Sequence, residues 1–357
     1  MNTKVFLYSF NNSRMKAFIL LLLFSLFFST NCFSRPASDA ELLKKINAIE
    51  KKSNVIMGIS AIHIEKNKTI AHNSKQRFFM ASTIKLPIAL AFLNRVDEKK
   101  ESLERIIKLD LSNSVPGSGS LYYACEKKKT SMSLHQILKY MMANSDNSAS
   151  DTILHTVSPE YVTKRMNELG FKNIQINRSI LEMFMDTNHV DHKLLKEPRT
   201  VYSWKKIFNS IPLKQKMLAW QRFEKDPRDT TTPDDMAKLL VKLQKNQVLS
   251  EASTKVILKI MEQCRTGRSR IRGLLPANVK VAHKTGTWAI GEQNYLSYPG
   301  SKNLFRFASD VGIITLPNNK GHIAIAVYVK SQAASDYSRT RAIALASRAV
   351  YDHFMKL

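Results

Sequence analysis

The strand-forming segments of this 357-residue chain lie at its two ends, with a long helical stretch between them. Near the N-terminus, Ile56-Met57-Gly58-Ile59-Ser60-Ala61-Ile62-His63-Ile64 and Thr69-Ile70-Ala71-His72 flank the polar turn Glu65-Lys66-Asn67-Lys68 and read as a hairpin. Strand character returns only at 279–283, 309–316 and 321–329, the last two joined by Pro317-Asn318-Asn319-Lys320. In the middle, Leu134, Ile137, Leu138, Met141 and Met142 recur at helical spacing, and 236–245 and 251–264 behave alike. A closing helix over about 335–355 sets Ile343, Ala346, Ala349, Val350 and Phe354 on one side. Neither group of strands buries a core alone. The pattern therefore predicts one intertwined α/β (α+β) unit over 35–357. It has an antiparallel sheet of about five strands from both terminal segments, flanking helices, and an all-helical lobe over about 95–275.

Residues 1–34 read as an export signal. Arg14 and Lys16 precede the apolar run 17–28, which is too short for a spanning helix of roughly 20 residues. Cleavage near Ser34 leaves no stable membrane insertion and puts the mature chain in the periplasm or outside the cell. Removing Lys4, Arg14 and Lys16 lowers the formal charge from +26 to +23. Such an excess raises nucleic acid as a partner, but no zinc finger, RNP signature or basic heptad accompanies it, so none is expected. Cys125 and Cys264 remain after cleavage, and their spacing leaves pairing open. No histidine pattern suits a metal, and no cofactor is expected. Nothing in the chain calls for more than a monomer.

Three short motifs carry chemistry. Ser82-Thr83-Ile84-Lys85 opens the apolar helical run 86–93, and residues three apart share a helix face, which sets the Lys85 amine beside the Ser82 hydroxyl. A serine becomes nucleophilic when a neighbouring base accepts its proton, and a lysine can do so when desolvation lowers its pKa. The spacing alone identifies nothing, because Ser13 to Lys16 and Ser203 to Lys206 share it. Ser145-Asp146-Asn147 follows the helix of 134–142 and reads either as a turn or as a proton shuttle with an amide contact. Lys284-Thr285-Gly286, followed by Thr287, reads either as a bulged edge strand or as a carboxylate grip with room for close backbone approach.

In this order, the three motifs resemble those of the serine β-lactamase and penicillin-binding protein superfamily, and of class A β-lactamases in particular. Supporting stretches are Val115-Pro116-Gly117-Ser118-Gly119, Arg228-Asp229-Thr230-Thr231-Thr232-Pro233 and Thr266-Gly267-Arg268-Ser269-Arg270. The resemblance implies a small-molecule β-lactam as substrate and a Ser82 acyl-enzyme. Lys85 is then the base, Ser145 the proton relay and Asn147 the acyl-amide contact. Lys284, Thr285, Gly286, Thr287 and Arg270 form the carboxylate side, and the Ser82 and Thr287 amides form the oxyanion hole.

One part of the pattern breaks. Class A enzymes release the acyl group with a glutamate two residues after an arginine at the entrance of a long loop. Arg178 matches that arginine, but the glutamate position holds Ile180. The loop exit, Arg228-Asp229, comes late, implying an insertion over about 187–226. Glu182 is the first candidate for the missing base, Glu224 the second, and absence of a base the third. The leading expectation is an exported β-lactamase giving β-lactam resistance. The alternatives are a D-alanyl-D-alanine peptidase or related hydrolase that deacylates slowly, and a non-catalytic binder of anionic envelope polymers.

Overall fold

The computed structural model describes residues 38–110, 114–121, 131–197, 199–289, 303–332 and 334–357. The leader, Cys32 and Cys125 fall outside them. In chain order the helices are α1 (Asp39–Ser53), α2 (Lys85–Asp97), α3 (Leu134–Ala143), α4 (Asn147–Val157), α5 (Pro159–Glu168) and α6 (Ile180–Thr187). They continue with α7 (Val201–Ser210), α8 (Leu213–Phe223), α9 (Pro233–Gln244), α10 (Glu251–Glu262) and α11 (Asp336–Met355). The sheet strands are β1 (Ile56–His63), β2 (Lys68–His72), β3 (Val281–Trp288), β4 (Arg306–Thr315) and β5 (His322–Ser331). None of the described helices is long and apolar enough to cross a membrane.

The sheet is antiparallel throughout, in the order β2-β1-β5-β4-β3, so the first and last strands of the chain pair at its centre. Ile56 stands opposite Lys330 and His63 opposite Ile323. The β4–β5 hairpin turns through Asn318 and Asn319 at φ 56° and 54°, a left-handed pair that asparagine tolerates better than most side chains. Both faces are covered. Leu42 and Ile46 of α1 and Ile343 and Val350 of α11 pack with Ile59 and Ile325 on one side. Residues of α2, α3 and α9 pack with Ala326 and Tyr328 on the other. Double coverage explains why β1 and β5 read as continuous apolar runs instead of alternating. Each fully buried Leu, Ile or Phe contributes about 1.5–3 kcal/mol.

Local signals place the helix starts. Ser38 with Glu41, Ser133 with Gln136 and Ser179 with Glu182 form reciprocal capping boxes at α1, α3 and α6. Arg178 and Asp229 close the loop between them: Arg178 Nε lies 2.6 Å from Asp229 Oδ2, with both side chains buried. Between them lie α7 and α8. Trp204 and Phe208 of α7 form a small core with Met185 and Val190, whereas Met217, Trp220 and Phe223 of α8 join the main core.

Candidate active site

Ser82 sits in a single 3-10 turn, Ala81–Ile84, that runs straight into α2. Ala81 before it has φ 48°, and Ser145 has φ 59°, left-handed values that cost a non-glycine residue roughly 1–3 kcal/mol. Packing holds both. The Met80 amide donates to Asp229 O, and Ser145 O accepts from Lys85 Nζ at 2.6 Å and from Ser118 Oγ at 2.7 Å.

Two lysines meet at Ser145. Lys85 Nζ lies 3.4 Å from Ser145 Oγ and 2.8 Å from Asn147 Oδ1. Lys284 Nζ donates to Ser145 Oγ at 2.9 Å and to Thr285 O at 2.8 Å. Neither lysine is exposed. Burial, followed by the Lys284 charge, holds the Lys85 ammonium well below the ordinary lysine range. Burial brings Lys284 down to about 8 against the pull of Cys264 and Asp310. Two adjacent buried amines suit proton transfer, because burial and their mutual repulsion both favour the neutral form of Lys85.

The far wall is the edge of β3. Arg270 is buried, and its guanidinium donates to Gly286 O (2.8 Å), Ser309 O (2.9 Å) and Thr287 Oγ1 (2.6 Å), which aims the exposed Thr287 at the cavity. Thr285 Oγ1 lies 2.6 Å from Thr266 Oγ1, and Thr266 Oγ1 lies 3.3 Å from Cys264 Sγ. Cys264 is a free thiol. Burial alone raises it, but the neighbouring His283 outweighs burial and brings it to about 7. His283 itself is held by Asp310 at 2.9 Å, and that carboxylate overcomes the effect of burial to lift the imidazole to about 9.

Gly286 serves the protein before any substrate. A Cβ there meets Ser309 Oγ, lies 2.6 Å from Met80 O and 3.2 Å from Ser82 N. The glycine therefore lets β3 press against the backbone that carries Ser82. Gly286→Ala is expected to slow adduct formation at Ser82 by about 100-fold, because a shift of about 1 Å in reacting groups costs that much. Stopped-flow labelling with a fluorescent penicillin measures it.

Ser82, Ser145, Asn147, Arg270, Thr285 and Thr287 all line one cavity of about 1040 Å³, with Lys85 and Lys284 behind them. Phe184 and Trp288 also line it, their rings 4.7 Å apart, so Trp288 both edges the site and packs in the aromatic cluster behind it. The two expected bases lie elsewhere. Glu182 accepts from the Ser179 amide at 2.7 Å as the cap of α6 and faces a separate cavity. Glu224 accepts from Trp220 Nε1 at 2.9 Å and from the Phe305 amide, and burial pushes its carboxyl up to about 7. Among the described residues, no Asp or Glu lines the cavity that holds Ser82. Ile180 is buried, its amide held by Asp151 Oδ1 at 2.7 Å, and α6 presents the Phe184 ring to the site.

The sequence reading missed Asp151 and the cavity residues of α7 and α8. Asp151 sits 29 positions from the amide it holds, and no local motif marks such a contact. The periodic aromatic residues of α8, Trp220 and Phe223, were the available signal for the insertion.

Comparison with known proteins agrees with this arrangement. The profile of the beta-lactamase enzyme family matches residues 41–354. The beta-lactamase VEB-1 of Pseudomonas aeruginosa is 29% identical over 340 residues, covering 94% of this chain and 97% of that protein. A beta-lactamase of Bacteroides uniformis is 26% identical over 340 residues, covering 95% and 99%. The crystal structure of TLA-1 extended-spectrum beta-lactamase superposes with a TM-score of 0.70 at 28% identity, covering 88% of this chain and 98% of that one. With the motifs assembled around one cavity and the match running almost from end to end, the chain belongs to the class A serine beta-lactamase family.

Proposed function

We propose that this protein hydrolyses β-lactams through a Ser82 acyl-enzyme, is exported, and confers β-lactam resistance. The observation that carries the reading is the meeting of Lys85 and Lys284 at Ser145 in the wall of the cavity that holds Ser82. Lys85 as the neutral amine takes the Ser82 proton, and Ser82 Oγ bonds to the lactam carbonyl carbon. The developing oxyanion turns to the Ser82 and Thr287 amides; one such donor is worth on the order of 3 kcal/mol. As the carbon–nitrogen bond breaks, Ser145 passes a proton to the nitrogen and recovers one from Lys85. Thr285, Thr287 and Arg270 supply the carboxylate grip, with Lys284 adding charge behind them, and Asn147 meets the acyl amide. The leader with Arg14, Lys16 and the apolar run 17–28 supports export.

Release of the acyl group is the slow step. Glu182 is occupied as a helix cap, Glu224 lies behind Trp220, and the described cavity wall holds no carboxylate. Lys85, neutral again once its proton has gone to the departing nitrogen, is the base that can activate water. Nitrocefin turnover should therefore show a burst equal to the enzyme concentration, followed by a slower steady rate. Absence of turnover above a Ser82→Ala control refutes the hydrolase. The same cavity wall favours a second reading, a penicillin-binding peptidase. Intact mass after penicillin exposure separates the two: an adduct that persists for hours supports the peptidase, and a return to native mass supports the β-lactamase.

A further inference from the structure

Cys264 is buried behind Thr266, which together with Thr285 lines the cavity that holds Ser82. The three side chains form one line of contacts. Cys264 Sγ lies 3.3 Å from Thr266 Oγ1 and 3.7 Å from Thr266 O, and Thr266 Oγ1 lies 2.6 Å from Thr285 Oγ1. Each hydroxyl carries a single proton, so the direction of donation at one link fixes the next. A thiol sulfur is a weak acceptor. Thr266 then gives its proton to Thr285 Oγ1, and the Thr285 proton is free to point into the cavity. A thiolate only accepts. It draws the Thr266 proton to itself, Thr266 Oγ1 accepts from Thr285, and the Thr285 proton is spent inside the wall.

The charges around the sulfur put both states within reach. His283 and Lys284 face it from β3, and Arg270 adds a third cation. Asp310 of β4 is the opposing carboxylate, 2.9 Å from His283 Nδ1. Among the described residues, the buried His283 Nε2 has no oxygen or nitrogen partner, and the Cys264 sulfur stands beside that ring. Burial raises the thiol, but the cations, led by His283, outweigh burial and bring it to about 7.

We propose that Cys264 is a positioning residue for the substrate carboxylate: its protonation state sets the direction of the Thr266–Thr285 hydrogen bond, and so decides whether Thr285 donates to the bound anion. This rests on the reading of Thr285 as part of a β-lactam carboxylate grip. The thiol form grips and the thiolate form releases, so affinity falls as pH rises through the thiol's titration.

The test is calorimetric binding of benzylpenicillin to Ser82→Ala protein, where no bond is made, at pH 6 and pH 8. Lys284, which titrates at about 8, adds a fall of its own, so each further variant is read against this parent. The parent should lose about fivefold more affinity than Cys264→Ser, whose hydroxyl does not ionise, as expected when a hydrogen bond to a charged group is given up. Thr266→Val keeps the thiol and its charge but breaks the line, and should behave as Cys264→Ser does. By linkage, saturating benzylpenicillin should raise the titration midpoint of Cys264, read from its β-carbon by NMR. An equal fall in parent and Cys264→Ser overturns the proposal, as does an unmoved midpoint. A parent-like fall in Thr266→Val also overturns it, because sulfur charge alone then explains the effect. Failure of the underlying reading shows separately, as absence of a Ser82 adduct when the wild-type chain meets benzylpenicillin at pH 6.

Discussion

Replacing Lys85 by Ala is expected to slow formation of the Ser82 adduct with benzylpenicillin about a thousandfold. A positioned general base is typically worth about 10²–10⁴ in rate, and Lys85 is the first amine along the helix that carries Ser82. The pH dependence discriminates further. The reactive form is the neutral amine, and burial with the Lys284 charge lowers the pKa of Lys85. Wild-type acylation therefore falls as acid protonates Lys85, and the Lys85→Ala profile loses that limb. Rapid-quench mass spectrometry from pH 5 to 9 reads both effects. An unchanged rate, or an acid limb retained without Lys85, removes this residue as the base.

The largest stability effect belongs to Arg178. Arg178→Ala is expected to cost about 3–5 kcal/mol, because it strands a carboxylate that is fully buried at Asp229. In a chain of this size the loss lowers the melting temperature by roughly 4–7 °C. The arginine also reaches Asp186 at 2.5 Å and Asp226 at 3.1 Å, so both ends of the insertion loosen together. The deficit depends on pH with a definite sign. Burial already raises Asp229 above its ordinary 3.8 while Arg178 opposes the rise. Without the arginine, the folded pKa climbs further. A carboxyl with a raised folded pKa binds more protons folded than unfolded, so stability falls as pH rises from 3.8 through that folded value. The variant should approach wild type near pH 4.5 and differ most near pH 7.5 by differential scanning calorimetry. A gap that grows towards acid contradicts the assignment.

The parts of this molecule that could be read from its sequence are those with strong local periodicity or a motif whose partners lie within one helical turn. The helix of 134–143 and the hairpin turn at Asn318 and Asn319 are of that kind. The bases were not, and the reason is local. Ser179-Ile180-Leu181-Glu182 carries the wording of a capping box, so the carboxylate is used by the amide of Ser179, 2.7 Å away. Glu224 is placed by Phe305, 81 positions away, and only the closed fold shows it. The role of Gly286 is similar: the sequence suggests room for a ligand, whereas the space is needed by Met80 O and Ser309 Oγ.

The central pairing of β1 with β5 sets the order in which the catalyst comes into being. Residue 56 cannot find its neighbour until residue 330 exists, and that separation gives the sheet a high contact order and slow assembly. A ribosome-bound or truncated chain therefore contains the serine and its lysine but no pocket around them. Under the export we propose, this delay is an asset: an unfolded chain stays threadable, and the pocket closes only on arrival.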